Sequence, residues 1–179
     1  SGSQMRKLMT LVDDKDRADA AKVDMAMARK KAEAGGAGRP GNLLFWLAVD
    51  KEKDAADAYA KNDFSGARTL YALLKSVFEI SLRAGDDTES LTHLRSFVQG
   101  LRMGADIIRA RETASWLYDR AREEEGQADA AFERGNTAEA AEYYLLSAFL
   151  YDKSREVAED SAQRASGPPI PPPPPRSTD

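Results

Sequence analysis

Proline is absent between residues 41 and 167, and that stretch is rich in Ala, Glu, Arg, Lys and Leu. Proline removes a backbone hydrogen-bond donor and interrupts helices, whereas alanine has the highest intrinsic helix propensity. Glycine and proline cluster instead in two short segments, 35–41 and 167–175. The sequence therefore predicts an all-α fold in which these two segments are the main breaks.

Apolar residues at spacings of three and four mark the individual helices. Residues 65–83 have the clearest stripe, formed by Phe64, Ala67, Leu70, Tyr71, Leu74, Val77, Phe78 and Leu82. Further helices are predicted at 13–34, at 43–61 with Asn42 as the N-cap, and at 137–165. Within 87–134 the stripe changes phase near residues 107–112, which favours two helices over one long helix.

The breaks divide the chain into five segments. They are a cloning remnant at 1–4, an N-terminal helix at 5–34, a Gly-rich linker at 35–42, a helical-hairpin domain at 43–165 and a Pro-rich, disordered tail at 166–179. The N-terminal helix has mainly alanine side chains to bury, and each of them contributes little apolar area. We therefore expect residues 43–165 to fold without it.

The chain contains one internal repeat, in which segment 61–71 recurs 73 positions later. In both copies a turn is followed by an alanine (Ala67, Ala140) and, four residues on, by a tyrosine (Tyr71, Tyr144). The small residue lets two helices approach closely, and the aromatic ring one turn later fills the space between them. The repeat predicts two helical hairpins, with Ala67 and Ala140 buried where the paired helices cross.

This pattern resembles the tetratricopeptide repeat, whose second helix carries a small residue and then an aromatic after a Gly-Asp or Gly-Asn turn. Gly135-Asn136, Ala140 and Tyr144 give the best match. Residues 55–82 also resemble the microtubule-interacting and transport domain, a three-helix relative of such repeats. The resemblance implies a helical-hairpin bundle or a short α-solenoid of five to six helices.

The residue inventory argues against several kinds of site. Cysteine is absent and His93 is the only histidine, which excludes thiolate metal sites and paired Glu-x-x-His motifs. The formal net charge of −4 argues against nucleic acid as the main partner. No apolar run approaches the roughly 18 residues of a membrane span. We expect no cofactor, no bound metal and no catalytic residues, and we predict that the acidic run 123–125 is exposed surface.

Four aromatic residues in the last predicted helix are too widely distributed for one buried stripe. Tyr144 and Tyr151 lie seven residues apart and are predicted to face the core. Tyr143 and Phe149 point towards other faces of the helix. Either another helix covers them, or they belong to a partner-binding surface.

The tail contains a second candidate binding motif. Pro171, Pro174 and Arg176 fit the pattern P-x-x-P-x-R, which places two prolines on one edge of a polyproline helix with a cation beyond them. A stiff spacer that leads to a further domain would have the same composition. Both interpretations remain open from the sequence.

These features predict a non-catalytic scaffold or adaptor that binds a protein partner through a groove between helical hairpins. A structural bundle that self-associates into a homo-oligomer is the alternative. A third possibility is an enzyme whose catalytic carboxylates or tyrosines cannot be grouped into a site from the sequence. The sequence leaves the compartment open, because cytoplasmic and periplasmic proteins can both lack cysteine.

Overall fold

The computed structural model describes residues 1–167 and 171–175, which contain seven helices and no strand. The helices are α1 (Gly2–Ala34), α2 (Leu43–Ala60), α3 (Phe64–Arg83), α4 (Asp87–Ile107), α5 (Ala110–Thr113), α6 (Ser115–Glu133) and α7 (Thr137–Ala165). The all-α prediction is confirmed. Six of these helices are long and α5 is a single turn, so the predicted five to six helices correspond to the long ones.

Side-chain caps fix the starts of four helices. In each case the side chain accepts a hydrogen bond from the backbone N–H three residues later; the caps are Asn42 for α2, Asp63 for α3, Asp86 for α4 and Asn136 for α7. Such a cap satisfies a backbone donor that has no partner within the helix. The predicted N-cap at Asn42 is confirmed, and these starts lie within a residue of the predicted ones.

The helix α1 is longer than the sequence analysis predicted. It begins at Gly2, whereas the residue pattern predicted a start at Asp13 and the segment division a start at residue 5. The aspartates from Asp13 onward suit a helix N-terminus, but that preference contributes only about 0.3–1 kcal/mol. Residues 5–12 contain no glycine or proline and include several strong helix formers, so the helix continues through them.

The repeat extends over three helices rather than over one hairpin. The helices α1 and α2 pack against α3, and the helices α4 and α6 pack against α7. When 73 is added to the residue numbers, α3 aligns with α7, α2 aligns with α6, and residues 14–34 of α1 align with α4. We call residues 14–86 the first unit and residues 87–159 the second unit.

Equivalent positions of the two units are buried alike. Eleven equivalent pairs lie in the hydrophobic core of both units, and eight of them keep the size class of the residue: Ala32/Ala105, Ala37/Ala110, Phe45/Tyr118, Ala48/Ala121, Ala55/Ala128, Ala67/Ala140, Tyr71/Tyr144 and Phe78/Tyr151. In these eight pairs, both units have alanine or both have an aromatic ring at the equivalent position. Because small and large residues recur at the same positions, the helices of both units can pack in the same way.

An ion pair also recurs between the units. Arg29 Nη1 lies 2.6 Å from Glu52 Oε2 in the first unit, and Arg102 Nη1 lies 2.7 Å from Glu125 Oε1 in the second. Each pair joins the first helix of its unit to the second helix. Charge-assisted hydrogen bonds of this kind fix the relative orientation of two helices as well as holding them together.

The prediction that the run 123–125 is exposed is wrong for Glu124 and Glu125, which are both buried. Glu125 also accepts a hydrogen bond of 2.7 Å from the Tyr151 hydroxyl. Burial of the Tyr151 ring and this hydrogen bond raise the pKa of the tyrosine above its usual range. A buried carboxylate is tolerated here because the arginine and the hydroxyl replace its lost water.

The Gly-rich segment packs against α2 and α3. Ala37 is buried, and the Trp46 indole donates a hydrogen bond of 3.1 Å to the carbonyl of Arg39. At Gly35 a Cβ atom would lie 2.2 Å from Leu82 Cδ1, so a larger residue there would require the Leu82 side chain to move. The linker prediction did not foresee these contacts.

The helix α1 contributes Ala18, Met25 and Ala32 to the hydrophobic core, and these are the side chains that a truncated chain would lose. The expectation that residues 43–165 fold alone stays a prediction. Residues 1–13 are exposed, so the first three turns of α1 project beyond the bundle.

A left-handed residue ends the first helix of each unit. Gly36 has φ +86° in the first unit, and its equivalent Arg109 has φ +57° in the second. Glycine adopts this conformation freely, whereas another residue pays about 1–2 kcal/mol for it. At this turn the second unit therefore carries local strain that the first unit avoids.

We predict that Arg109→Gly raises the free energy of unfolding by about 0.5–1 kcal/mol, because relief of strain exceeds the added entropy of the unfolded chain. Urea denaturation followed by circular dichroism measures the change. The matched control is Arg111→Gly within α5, which should lower stability by a similar amount. Equal destabilisation by the two variants would refute the strain at Arg109.

The two alanines predicted at the helix crossings, Ala67 and Ala140, are both fully buried. We predict that Ala67→Leu or Ala140→Leu overpacks its crossing and costs about 1–3 kcal/mol of stability. Ala138→Leu, at an exposed position two residues earlier on α7, is the control and should leave the melting temperature nearly unchanged. Unchanged melting of both crossing variants would contradict the close approach of the helices.

Candidate partner-binding groove

The two units meet where α3 runs antiparallel to α7. Near the start of α3, Ser65 donates a hydrogen bond of 2.8 Å to Glu156, and Arg68 lies 2.9 Å from the same carboxylate. Further along α3, Leu73 lines the same two cavities as Phe149, which comes two turns earlier on α7. The contact therefore proceeds in opposite directions along the two helices.

These two helices turn equivalent faces towards each other. Leu70 and Leu73 on α3 correspond, 73 residues later, to Tyr143 and Leu146 on α7, and all four side chains line one groove. One face of α3 and of α7 packs against the other helices of its own unit. A second face of each contacts the other unit, and these second faces form the boundary between the units.

An open groove of about 310 Å³ lies between α2, α3 and α7, and we call it the inter-unit groove. Seven of its lining residues are apolar or aromatic: Leu70, Leu73, Leu74, Tyr143, Leu145, Leu146 and Phe149. Three charged residues complete the lining: Lys51, Asp54 and Glu142. A mainly apolar concavity with a few charges is the common form of a binding site on a protein surface.

One ion pair crosses the inter-unit groove. Lys51 Nζ on α2 lies 3.0 Å from Glu142 Oε2 on α7. The Glu142 side chain is 52% exposed, so the pair is well solvated and contributes at most about 1 kcal/mol. A ligand that entered the groove could therefore displace this pair at little energetic cost.

The structure brings together the two aromatic residues that the sequence analysis singled out. Tyr143 and Phe149 are half-buried and line the inter-unit groove. Tyr144 and Tyr151, in contrast, are fully buried, as predicted. Phe149 also lines a second cavity of about 220 Å³, together with Phe97 and Leu101 of α4.

The tail residues lie apart from this site. Pro171 and Pro174 are exposed and do not line the inter-unit groove. Arg176, the third residue of the predicted motif, lies outside the described residues. His93 is on the surface of α4, with 43% of its side chain exposed.

Several residues of the groove were not predicted from the sequence, above all Leu73 and Leu146. Leu146 is 38% exposed, which is unusual for a leucine in the middle of a packed helix. The two leucines are equivalent positions of the repeat, and both fall outside the core stripe of their helix. Two equivalent leucines outside the core stripe were the sequence signal that could have indicated a second contact face on these helices.

A polar cluster fastens α3 to α7 beyond the groove. Lys153 Nζ lies 2.6 Å from Ser65 Oγ and 3.2 Å from Glu156 Oε2. Burial disfavours the charged form of Glu156, but Lys153, the Ser65 hydroxyl and Arg68 outweigh it and lower its pKa below the usual 4.5. The ionised carboxylate is therefore the form that holds the two units together.

A lowered pKa in the folded state gives stability that is present above about pH 4.5 and is lost as the pH falls through the folded pKa. We predict that Glu156→Gln lowers the free energy of unfolding by about 1–2 kcal/mol at neutral pH. The variant should then lose less stability than the wild type as the pH falls. Urea denaturation at a series of pH values from neutral down to acid measures both effects. Glu133→Gln, at an exposed position on α6, is the control. An identical acid dependence in Glu156→Gln and the wild type would contradict the role of Glu156.

No family model matches the chain, and none of the curated proteins or solved structures compared with it does so either. Within residues 1–167 and 171–175, no helix is long and apolar enough to cross a bilayer. In the same part of the chain, no three His, Asp or Glu side chains are grouped so that they could hold a metal ion.

Proposed function

We propose that this protein is a non-catalytic scaffold or adaptor that binds a protein partner through the inter-unit groove. The observation that supports this proposal most strongly is the mainly apolar lining, to which both units contribute. Leu70 of the first unit is half-buried, as are Tyr143 and Phe149 of the second, and Leu146 is 38% exposed, so these side chains offer apolar surface that neither unit covers fully. An apolar patch with a polar rim is characteristic of protein interaction sites.

The shape and lining of the groove favour a short amphipathic helix as the ligand. Helices wall the groove on each side, and a ligand helix would insert bulky apolar side chains between them, as in other helix-in-groove complexes. The aromatic rings of Tyr143 and Phe149 are suitable contacts, because aromatic residues are enriched where binding energy is concentrated. Lys51 on one rim and Glu142 on the other would pair with charges that flank the apolar face of the ligand.

The groove also explains why the two units need to be joined in one chain. Leu70 and Leu73 come from the first unit, whereas Tyr143 and Leu146 come from the second. Neither unit contains the site alone. The proposed binding activity therefore depends on the contact between α3 and α7, and it should be lost if the units are separated.

We predict that Leu146→Glu weakens the binding of groove ligands at least about tenfold, because it places a charge on the apolar floor. Ligands are first selected from a random peptide library on the wild-type protein, and their affinities are then measured by fluorescence anisotropy. Val157→Glu is the matched control, since Val157 lies on the same helix, is 42% exposed and does not line the groove.

Both substitutions are at partly exposed positions, so thermal melting should confirm that both variants stay folded. Peptides that bind Leu146→Glu as tightly as the wild type would show that the inter-unit groove is not the binding site. Failure to select any peptide that the two variants distinguish would also count against the proposal.

A further inference from the structure

The projecting part of α1 carries an apolar stripe that nothing in the described chain covers. Met5, Leu8, Met9 and Val12 are 60%, 57%, 62% and 50% exposed. Their spacing of three, four and seven residues places them on one face of the helix. Of the thirteen large apolar side chains that are exposed in the described residues, seven are on α1, so this helix is the main unpartnered apolar surface.

The stripe is not an extension of the face that α1 uses inside the bundle. Successive residues of a helix are rotated by about 100°, which places the stripe roughly opposite to the core-facing Ala18, Met25 and Ala32. None of the described residues buries that side of α1. The stripe is therefore free to contact a second molecule.

Two charges on one edge of the stripe indicate what that molecule is. Arg6 and Asp13 are seven residues apart, so they lie within about 20° of each other around the helix. Neither forms an ion pair within the described chain. They stand at opposite ends of the stripe, one basic and one acidic.

Antiparallel pairing of two such helices makes these charges complementary. If Leu8 lies opposite Met9 of a second copy, then Met5 lies opposite Val12 of that copy. The 1.5 Å rise per residue then places Arg6 of each copy within about 3 Å, along the axis, of Asp13 of the other. A twofold axis keeps both residues on the same side of the interface, so two identical ion pairs form.

We propose that two copies of this chain associate as a twofold dimer, through antiparallel packing of their Met5–Val12 stripes with reciprocal Arg6–Asp13 ion pairs. This surface is distinct from the inter-unit groove, and the proposal does not rest on the groove's function. Four apolar side chains per copy make a small interface, so the dimer belongs to the weak, reversible class.

Two other arrangements fit the charges less well. In a parallel twofold pair, the axis runs along the helices and places the Arg6 and Asp13 edges of the two copies on opposite sides of the interface, so these charges would not pair. An anionic membrane surface would attract the four basic residues of segment 5–17 but would repel its three aspartates, so the two effects largely cancel. Only the antiparallel dimer makes use of both charges.

Sedimentation equilibrium of the full chain up to about 0.5 mM tests the proposal, since a weak dimer populates in that range. We expect a monomer–dimer equilibrium in the wild type and at least tenfold weaker association in Leu8→Asp. Lys7→Glu, on the opposite face of the helix, should associate as the wild type does. Leu8 and Lys7 are both exposed, so the bundle should melt normally in both variants.

A charge swap tests the direction of pairing. Arg6→Asp and Asp13→Arg should each weaken the dimer at least tenfold, and the double variant should restore it. A monomeric wild type throughout the range would overturn the proposal, as would a double variant that associates no better than the single ones. Binding to phosphatidylcholine–phosphatidylglycerol vesicles without any dimer would also overturn it and would identify a membrane as the ligand of the stripe.

Discussion

The close approach of helices at alanine residues is the constraint on which the whole structure depends. Ala67 and Ala140 are fully buried, and each lies one turn before a buried tyrosine on the helix that its two neighbours pack against. A larger side chain would push the helices apart, and the ring of Tyr71 or Tyr144 would then leave a void. Because this constraint occurs twice, 73 residues apart, the chain folds into two units of the same design.

The inter-unit groove follows from how those units are joined. Packing within a unit uses the alanine and tyrosine face of α3 or α7, and it leaves a second face free. These second faces meet, but their equivalent residues differ in size, as Leu70 differs from Tyr143 and Ser76 from Phe149. Side chains of unequal size do not close the contact fully, and the space that remains is the groove.

Much of the fold could be predicted from the sequence, because apolar stripes and N-caps act over a few residues. The full length of the repeat could not, since Ala18 and Met25 of α1 correspond to Leu91 and Val98 of α4, and this exchange of sizes hides the relation. The burial of Glu125 was missed because its partner Arg102 lies 23 residues away in the chain. The groove depends on the crossing of α3 and α7, which no local pattern encodes.

The central claim, that α2 and α7 face each other across a groove between two joined units, can be tested on the unmodified chain. A carbodiimide forms an amide only between an amine and a carboxylate that are already in contact. Lys51 and Glu142 are 3.0 Å apart, so mass spectrometry of the digested monomer should find the peptides of α2 and α7 joined at these residues. If Lys51 is joined only to Asp54 of its own helix, the arrangement of the two units described here is wrong.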